Sequence, residues 1–265
     1  MSIQTFSLAT VEKIRRFIQN ALAVADTEQQ SQTWASSEGE DELPEPESLD
    51  DLSGVFTFGG LSADEITSPN LRETQWFVST VNPAAALLKM PGLQVKPGWR
   101  LTGYLYRMDK DGVGLIFAVP EALSTTAQLE KALAASGNIF QPPKPDGALS
   151  HMMDAIEGDR SPLSFMIASI LRREFQEFGA LAQRRNWSYH RLIETVPSQV
   201  QWQWQTDQPR DLSPKVKVLP NGQAGVEFFT CRVNKPFTIF RHLDQYPANQ
   251  YSAKGADKAI AIIQR

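Results

Sequence analysis

From Asp26 to Asp51 the chain carries ten acidic residues among Ser, Gln, Pro and Gly, with no Lys or Arg: Asp26, Glu28, Glu38, Glu40, Asp41, Glu42, Glu45, Glu47, Asp50 and Asp51. A run so dense in one charge and so poor in apolar residues buries too little surface to offset the entropy of ordering it. Packed structure is therefore expected from the segments on either side. With ten of the 30 acids in that run, the rest of the chain holds 26 basic against 20 acidic residues, a net of +6. The whole-chain charge of −4 is thus the sum of an acidic tether and a mildly basic body.

Three segments follow from this division: an N-terminal helix over 1–25, an acidic flexible linker over 26–53, and a globular body over 54–265. An apolar content of 42% and a charged content of 21% are those of an ordinary folded protein. Cys231 is the only cysteine, which excludes the disulfide-framework class. The first residues show no basic region followed by an apolar run, and no stretch nears the roughly 20 apolar residues of a membrane helix. A cytoplasmic protein is expected, with peripheral attachment to a membrane left open because it needs only a surface patch.

Thr10 to Ala25 has the period of an amphipathic helix, with Val11, Ile14, Ile18 and Leu22 on one stripe. So short a helix is marginal alone, and its stripe needs a surface in its own body or on a partner. In the body, Val55 to Phe58 and Trp76 to Val81 read as strands. Arg100 to Met108 and Val113 to Val119 read as a hairpin turning through Asp109-Lys110-Asp111-Gly112. Ser124 to Ala135 is expected to be helical, and Pro142 to Gly147 is a connector that divides the body into lobes over 54–140 and 148–265.

The longest helix is expected over Ser161 to Arg185, with Leu163, Ile167, Leu171, Phe175 and Phe178 inward and Arg172, Arg173 and Arg184 on a solvated face. A short helix over Ser188 to Thr195 and strands at Gln199 to Gln205, Lys215 to Leu219, Gly225 to Val233 and Phe237 to Leu243 complete the pattern. Strands, then helices, then strands give an α+β fold with mainly antiparallel sheets, rather than a regular βαβ alternation.

No local chemistry stands out. His151, His190 and His242 lack the short-spaced partners of a zinc site, and His190 with Glu194 is a lone i, i+4 pair on the expected helix. Phe58-Gly59-Gly60 lacks the spacing of a phosphate loop, and Cys231 reads as a buried strand residue. No cofactor is expected. The leading expectation is a non-catalytic interaction protein, an assembly factor, adaptor or regulator that binds a protein partner. Its contacts are expected at Ile14, Ile18 and Leu22 of the tethered helix, at Trp34 in the acidic arm, and at Arg172, Arg173, Arg184 and Arg185. The alternatives are a nucleic-acid-associated protein with a basic surface modulated by the acidic arm, and an enzyme whose site leaves no motif. Self-association into a homo-oligomer is left open.

Overall fold

A computed structural model describes residues 2–29, 76–108, 111–198 and 200–263. Trp34, the strand expected at Val55 to Phe58, the Phe58-Gly59-Gly60 turn and most of the acidic run lie outside the described residues.

The largest element is a seven-stranded antiparallel sheet. It is built from β1 (Ser2–Thr5), β7 (His190–Ile193), β8 (Trp202–Trp204), β9 (Lys215–Val218), β10 (Ala224–Arg232), β11 (Thr238–Tyr246) and β12 (Lys254–Ile263). Its order is β1-β9-β10-β11-β12-β8, with β7 pairing to the far end of β10. A three-stranded sheet joins β2 (Trp76–Val78), β4 (Trp99–Met108) and β5 (Asp111–Pro120), and β3 (Leu93–Val95) pairs with β6 (Ile156–Gly158). The fold is α+β with mainly antiparallel sheets.

Two helices fill the space between the sheets: α1 (Leu8–Ala21) and a central helix, Pro162–Gln176. Ser161 accepts the N–H of Ser164 with Pro162 in the first turn, whereas α1 is capped by Ser7, which accepts from Thr10. One core holds Ile167 and Leu171 of the central helix, Leu101, Leu105, Ile116 and Ala118 from one sheet, and Val216, Val226 and Phe228 from the other. Residues on both sides of the Pro142 to Gly147 connector contribute to it. A helix covered by a sheet on each side has no solvated face to present, and Ser164 to Leu171 are all buried.

The central helix stops at Gln176 rather than Arg185. Gly179 takes a left-handed φ of +61°, and a Cβ there would sit 2.3 Å from Leu105 Cδ2, so only glycine lets the turn close against β4. The β4–β5 hairpin pairs through to Met108 opposite Asp111, which places Asp111-Gly112 inside a strand and not in the turn. The segment expected as a helix from Ser188 is a short 3-10 turn, Trp187–Tyr189, followed by strand β7.

The N-terminal region is integral to this architecture. β1 forms the edge of the large sheet beside β9, and Val11, Ile14, Ile18 and Leu22 of α1 lie in the main core. Asp26–Gln29 forms one further helical turn, whose Glu28 carboxylate accepts from Ser79 Oγ at 3.1 Å and Thr80 N at 2.7 Å. Truncating the fully buried Ile18 to valine is expected to cost about 0.5–1.5 kcal/mol by urea denaturation. An unchanged midpoint would mean that α1 is not part of the cooperative unit.

Candidate functional site

The alternation of β10 and β11 sends Thr230, His242 and Asp244 toward the central helix, into the apolar interior. Buried polar groups need partners, and these find one another. His242 Nδ1 lies 2.8 Å from Asp257 Oδ1 on β12, and His242 Nε2 lies 2.8 Å from Thr230 Oγ1. Thr230 Oγ1 is also 2.8 Å from Nδ1 of His190 on β7. Proton bookkeeping fixes the roles. Nδ1 of His242 donates to the carboxylate, so its Nε2 accepts from Thr230. The threonine oxygen then accepts from Nδ1–H of His190, leaving His190 Nε2 as a bare acceptor, buried and without a partner among the described residues.

The central helix supplies the countercharge. Arg173 donates to Asp244 Oδ2 at 2.5 Å and to Asp257 Oδ1 at 2.5 Å, and Arg172 Nη2 donates to Asp244 Oδ1 at 2.8 Å. Asp244 is wholly buried and Arg173 is 2% exposed. A second cluster ties α1 to the helix end: Arg15 Nε donates to Glu174 Oε1 at 2.7 Å, as does Trp187 Nε1 at 2.7 Å. The other Arg15 nitrogens reach the backbone oxygens of His190 and Trp187. Rings enclose the network, with Phe228 stacked 4.8 Å from His242 and Trp187 edge-on to it at 5.4 Å.

This setting keeps both imidazoles neutral. Burial pulls His190 down to about 4, helped by the charges of Arg232 and Arg15, and burial likewise lowers His242 against the pull of Asp257. Asp257 is held well below the usual carboxylate range by its hydrogen bond from His242 and the charge of Arg173, which outweigh its own burial. Carboxylate, imidazole and hydroxyl stand in the order of a proton relay. Thr230 is nevertheless fully buried with its hydroxyl engaged by two histidines, so the arrangement holds protons in place and presents no nucleophile to a substrate.

The residues expected from sequence fare differently. Ile14, Ile18 and Leu22 are packed in the core, so their stripe is satisfied within the chain and is not a free docking face. Arg172 and Arg173 are interior ion-pair partners rather than a solvated surface, because the large sheet covers the side of the helix that carries them. Arg184 is at the surface, paired with Asp111 at 2.8 Å, and Arg185 is exposed, its Nε donating to Ala180 O at 3.0 Å. His190 lies in a strand, so it shares no helix face with Glu194. Sequence reading missed Arg15, Asp244 and Asp257. Arg15 left a trace, since it interrupts the stripe between Ile14 and Ile18, and Asp244 left another, sharing a strand face with Phe240 and Tyr246.

The opposite face of the large sheet divides into an apolar end and a charged end. A satellite cluster of Leu212, Phe229, Ile239 and Ile260, with Trp202 and Trp204 packed on it, covers one end. At the other end the registers place Lys217, Gly225, Gln245 and Lys254 in one row across β9 to β12, and Arg241 beside Lys258 four residues along. Glu227 shares this face but is held by Lys215 at 3.0 Å and Arg241 at 2.5 Å. Lys217, Lys254 and Lys258 are exposed and carry no ion pair among the described residues. Lys217 and Lys254 border a groove of about 550 Å³ whose lining includes Gly225, Leu243 and Pro247. No described helix is long and apolar enough to cross a membrane, and no described group of His, Cys, Asp or Glu is placed to hold a metal ion. Compared with protein-family models, with curated proteins and with solved structures, the chain matches none, and no function comes to it by similarity.

Proposed function

We propose that this chain is a non-catalytic interaction protein that engages an acidic surface of a protein partner through the open, basic end of its large sheet. The observation that carries this reading is the exposed set Lys217, Lys254 and Lys258, without ion pairs among the described residues, of which Lys217 and Lys254 line a groove with Leu243 and Pro247. Such a patch attracts carboxylates and offers Leu243 and Pro247 for contact, which suits a protein partner with an acidic rim and an apolar centre. The contacts expected at Ile14, Ile18, Leu22, Arg172 and Arg173 are used internally, so this face replaces them in the proposal.

The test is affinity purification of the full chain beside the triple charge reversal Lys217→Glu, Lys254→Glu and Lys258→Glu. All three residues are exposed, so the variant is expected to fold. Binding of any specific partner should fall at least tenfold in the variant and weaken with added salt. A partner retained equally by both proteins would sink the proposal.

Nucleic acid is the second reading, favoured by one observation: Lys215 and Arg241 share a sheet face with Lys217, Lys254 and Lys258. Against it, Trp202 and Trp204 pack on the satellite cluster instead of standing beside these cations as a stacking platform. Nuclease treatment before purification separates the two readings.

A further inference from the structure

A second recess, of about 280 Å³, opens where the end of α1, the turn after the central helix and β4 meet. Its apolar walls include Leu22, Val24, Phe178 and Leu181. Its polar walls include Arg107, Ser188 and Arg185, and two of these hold buried groups with nothing to bond.

Arg107 is the informative residue. It is 3% exposed, yet no described carboxylate accepts a hydrogen bond from its guanidinium. Nε donates to the backbone oxygen of Glu28 at 2.8 Å and Nη1 to that of Tyr106 at 2.8 Å. Those two bonds fasten the Asp26–Gln29 turn to β4 and account for a structural role. Nη2 is left over, buried and without an acceptor among the described residues. It lies beside Gly179, another wall of the recess, where an added Cβ would come within 3.4 Å of it. The charge of Glu28 acts on Arg107 only at a distance, because its carboxylate is committed to Ser79 and Thr80. A buried guanidinium edge with no acceptor is costly, and a ligand that supplies one recovers that cost.

Ser188 adds a second unmet group. Its N–H goes to Glu177 Oε2 at 2.6 Å, but its hydroxyl is buried and unpartnered. Arg185, at the rim, uses only its Nε, on Ala180 O. The two acids of the recess are already engaged. Glu174 accepts from Arg15, Gln19 and Trp187, and Glu177 accepts from the backbone N–H groups of Asn186 and Ser188. What remains is a set of donors without acceptors, next to an apolar wall, in a space at the small end of ligand pockets.

We propose that this recess binds a small monocarboxylate with a short apolar body, its oxygens taking the Arg107 Nη2 and Ser188 hydroxyl hydrogens and its body lying against Leu22 and Phe178. Charge-assisted bonds to Arg107 and Arg185 give preference for a carboxylate over the corresponding amide. The site shares no residue with the basic sheet face, so the two proposals stand or fall separately.

The test uses the full chain with butyrate and benzoate as probes, against butyramide and benzamide, at constant ionic strength. Calorimetry is expected to show saturable binding of at least one acid and at least tenfold weaker binding of its amide. At ten times Kd the acid should raise Tm by roughly 3–5 °C. Ser188→Ala should weaken binding about tenfold. Ala23→Trp, at an exposed position in the lining of the recess, should abolish it while the unliganded protein stays folded. Arg107→Gln should lose the preference for acid over amide if it folds, and the other two variants decide the matter if it does not. The proposal is overturned if neither acid binds saturably, if the amides bind as well as the acids, or if Ala23→Trp binds like the parent. A high-resolution crystal structure grown with benzoate that shows only ordered water on Arg107 Nη2 would overturn it as well.

Discussion

Replacing Asp244 with asparagine is expected to destabilise the protein by about 3–5 kcal/mol, the cost of leaving buried charge without its partner. Asp244 is 0% exposed and accepts from both Arg172 and Arg173, so the amide removes the one carboxylate paired with Arg172 among the described residues and one of the two paired with Arg173. Asp257 cannot take its place, since it bonds Arg173 Nη2 and His242 together from a position that is 46% exposed at the sheet margin. The loss should appear as a lower urea midpoint at unchanged m, and as a Tm drop on the order of 10 °C. Arg184→Ala is the control: it breaks a surface pair with Asp111 and should change stability by no more than about 1 kcal/mol. If the two variants proved equally mild, the interior ion cluster would not be holding the sheet to the helix.

Acidification should remove stability in a defined window. His190 is 3% exposed and its pKa falls from 6.5 when unfolded to about 4 when folded. Between those values the unfolded chain binds a proton that the native chain refuses. Stability is therefore complete above about pH 6.5 and declines as pH falls toward 4, by roughly 3 kcal/mol for this residue. His242 is lowered as well and adds to the same slope. Asp257 acts at lower pH, because its folded pKa is depressed and its contribution persists until pH drops below the normal carboxylate range. The measurement is urea stability at half-unit steps from pH 7.5 to 4. Asparagine at position 190 can still donate to Thr230 but cannot titrate, so His190→Asn should flatten part of the slope. An identical slope in parent and variant would place the linkage elsewhere.

Much of the fold was legible locally. The β4–β5 hairpin was visible because alternation persists over ten-residue strands, and the central helix because its apolar period runs through several turns. Boundaries failed where a remote neighbour sets the geometry. Asp111-Gly112 has the composition of a turn, but Gly112 lies in β5, where a side chain would strike Arg107 and Leu181. β7 has only four residues and no period to read, so it passed for helix. β1 and β12 were missed because all four residues of β1 and the first six of β12 are exposed, which weakens the apolar signal.

The sites were harder to see than the elements. Arg172 and Arg173 looked like a solvated face because their neighbours Glu174 and Glu177 give the segment the mixed charge of a surface helix. Their partners arrive from β11 and β12, 71 to 84 residues later. His190 and His242 looked unconnected until β7 and β11 were seen on either side of Thr230 on β10. The lysines at 217, 254 and 258 come from two strands far apart in the chain and become a patch only through register.

By itself the sequence determined the acidic run, the helical stripe of α1, the apolar interior of the central helix and the α+β class, since each depends on short-range period or composition. Tertiary structure alone decided which of those surfaces is inside. Arg15 meets Glu174 across 159 residues of chain, and the stripe of Ile14, Ile18 and Leu22 became core when the central helix closed over it. Whether an arginine pairs or meets water depends on what covers it, and no local window contains the cover.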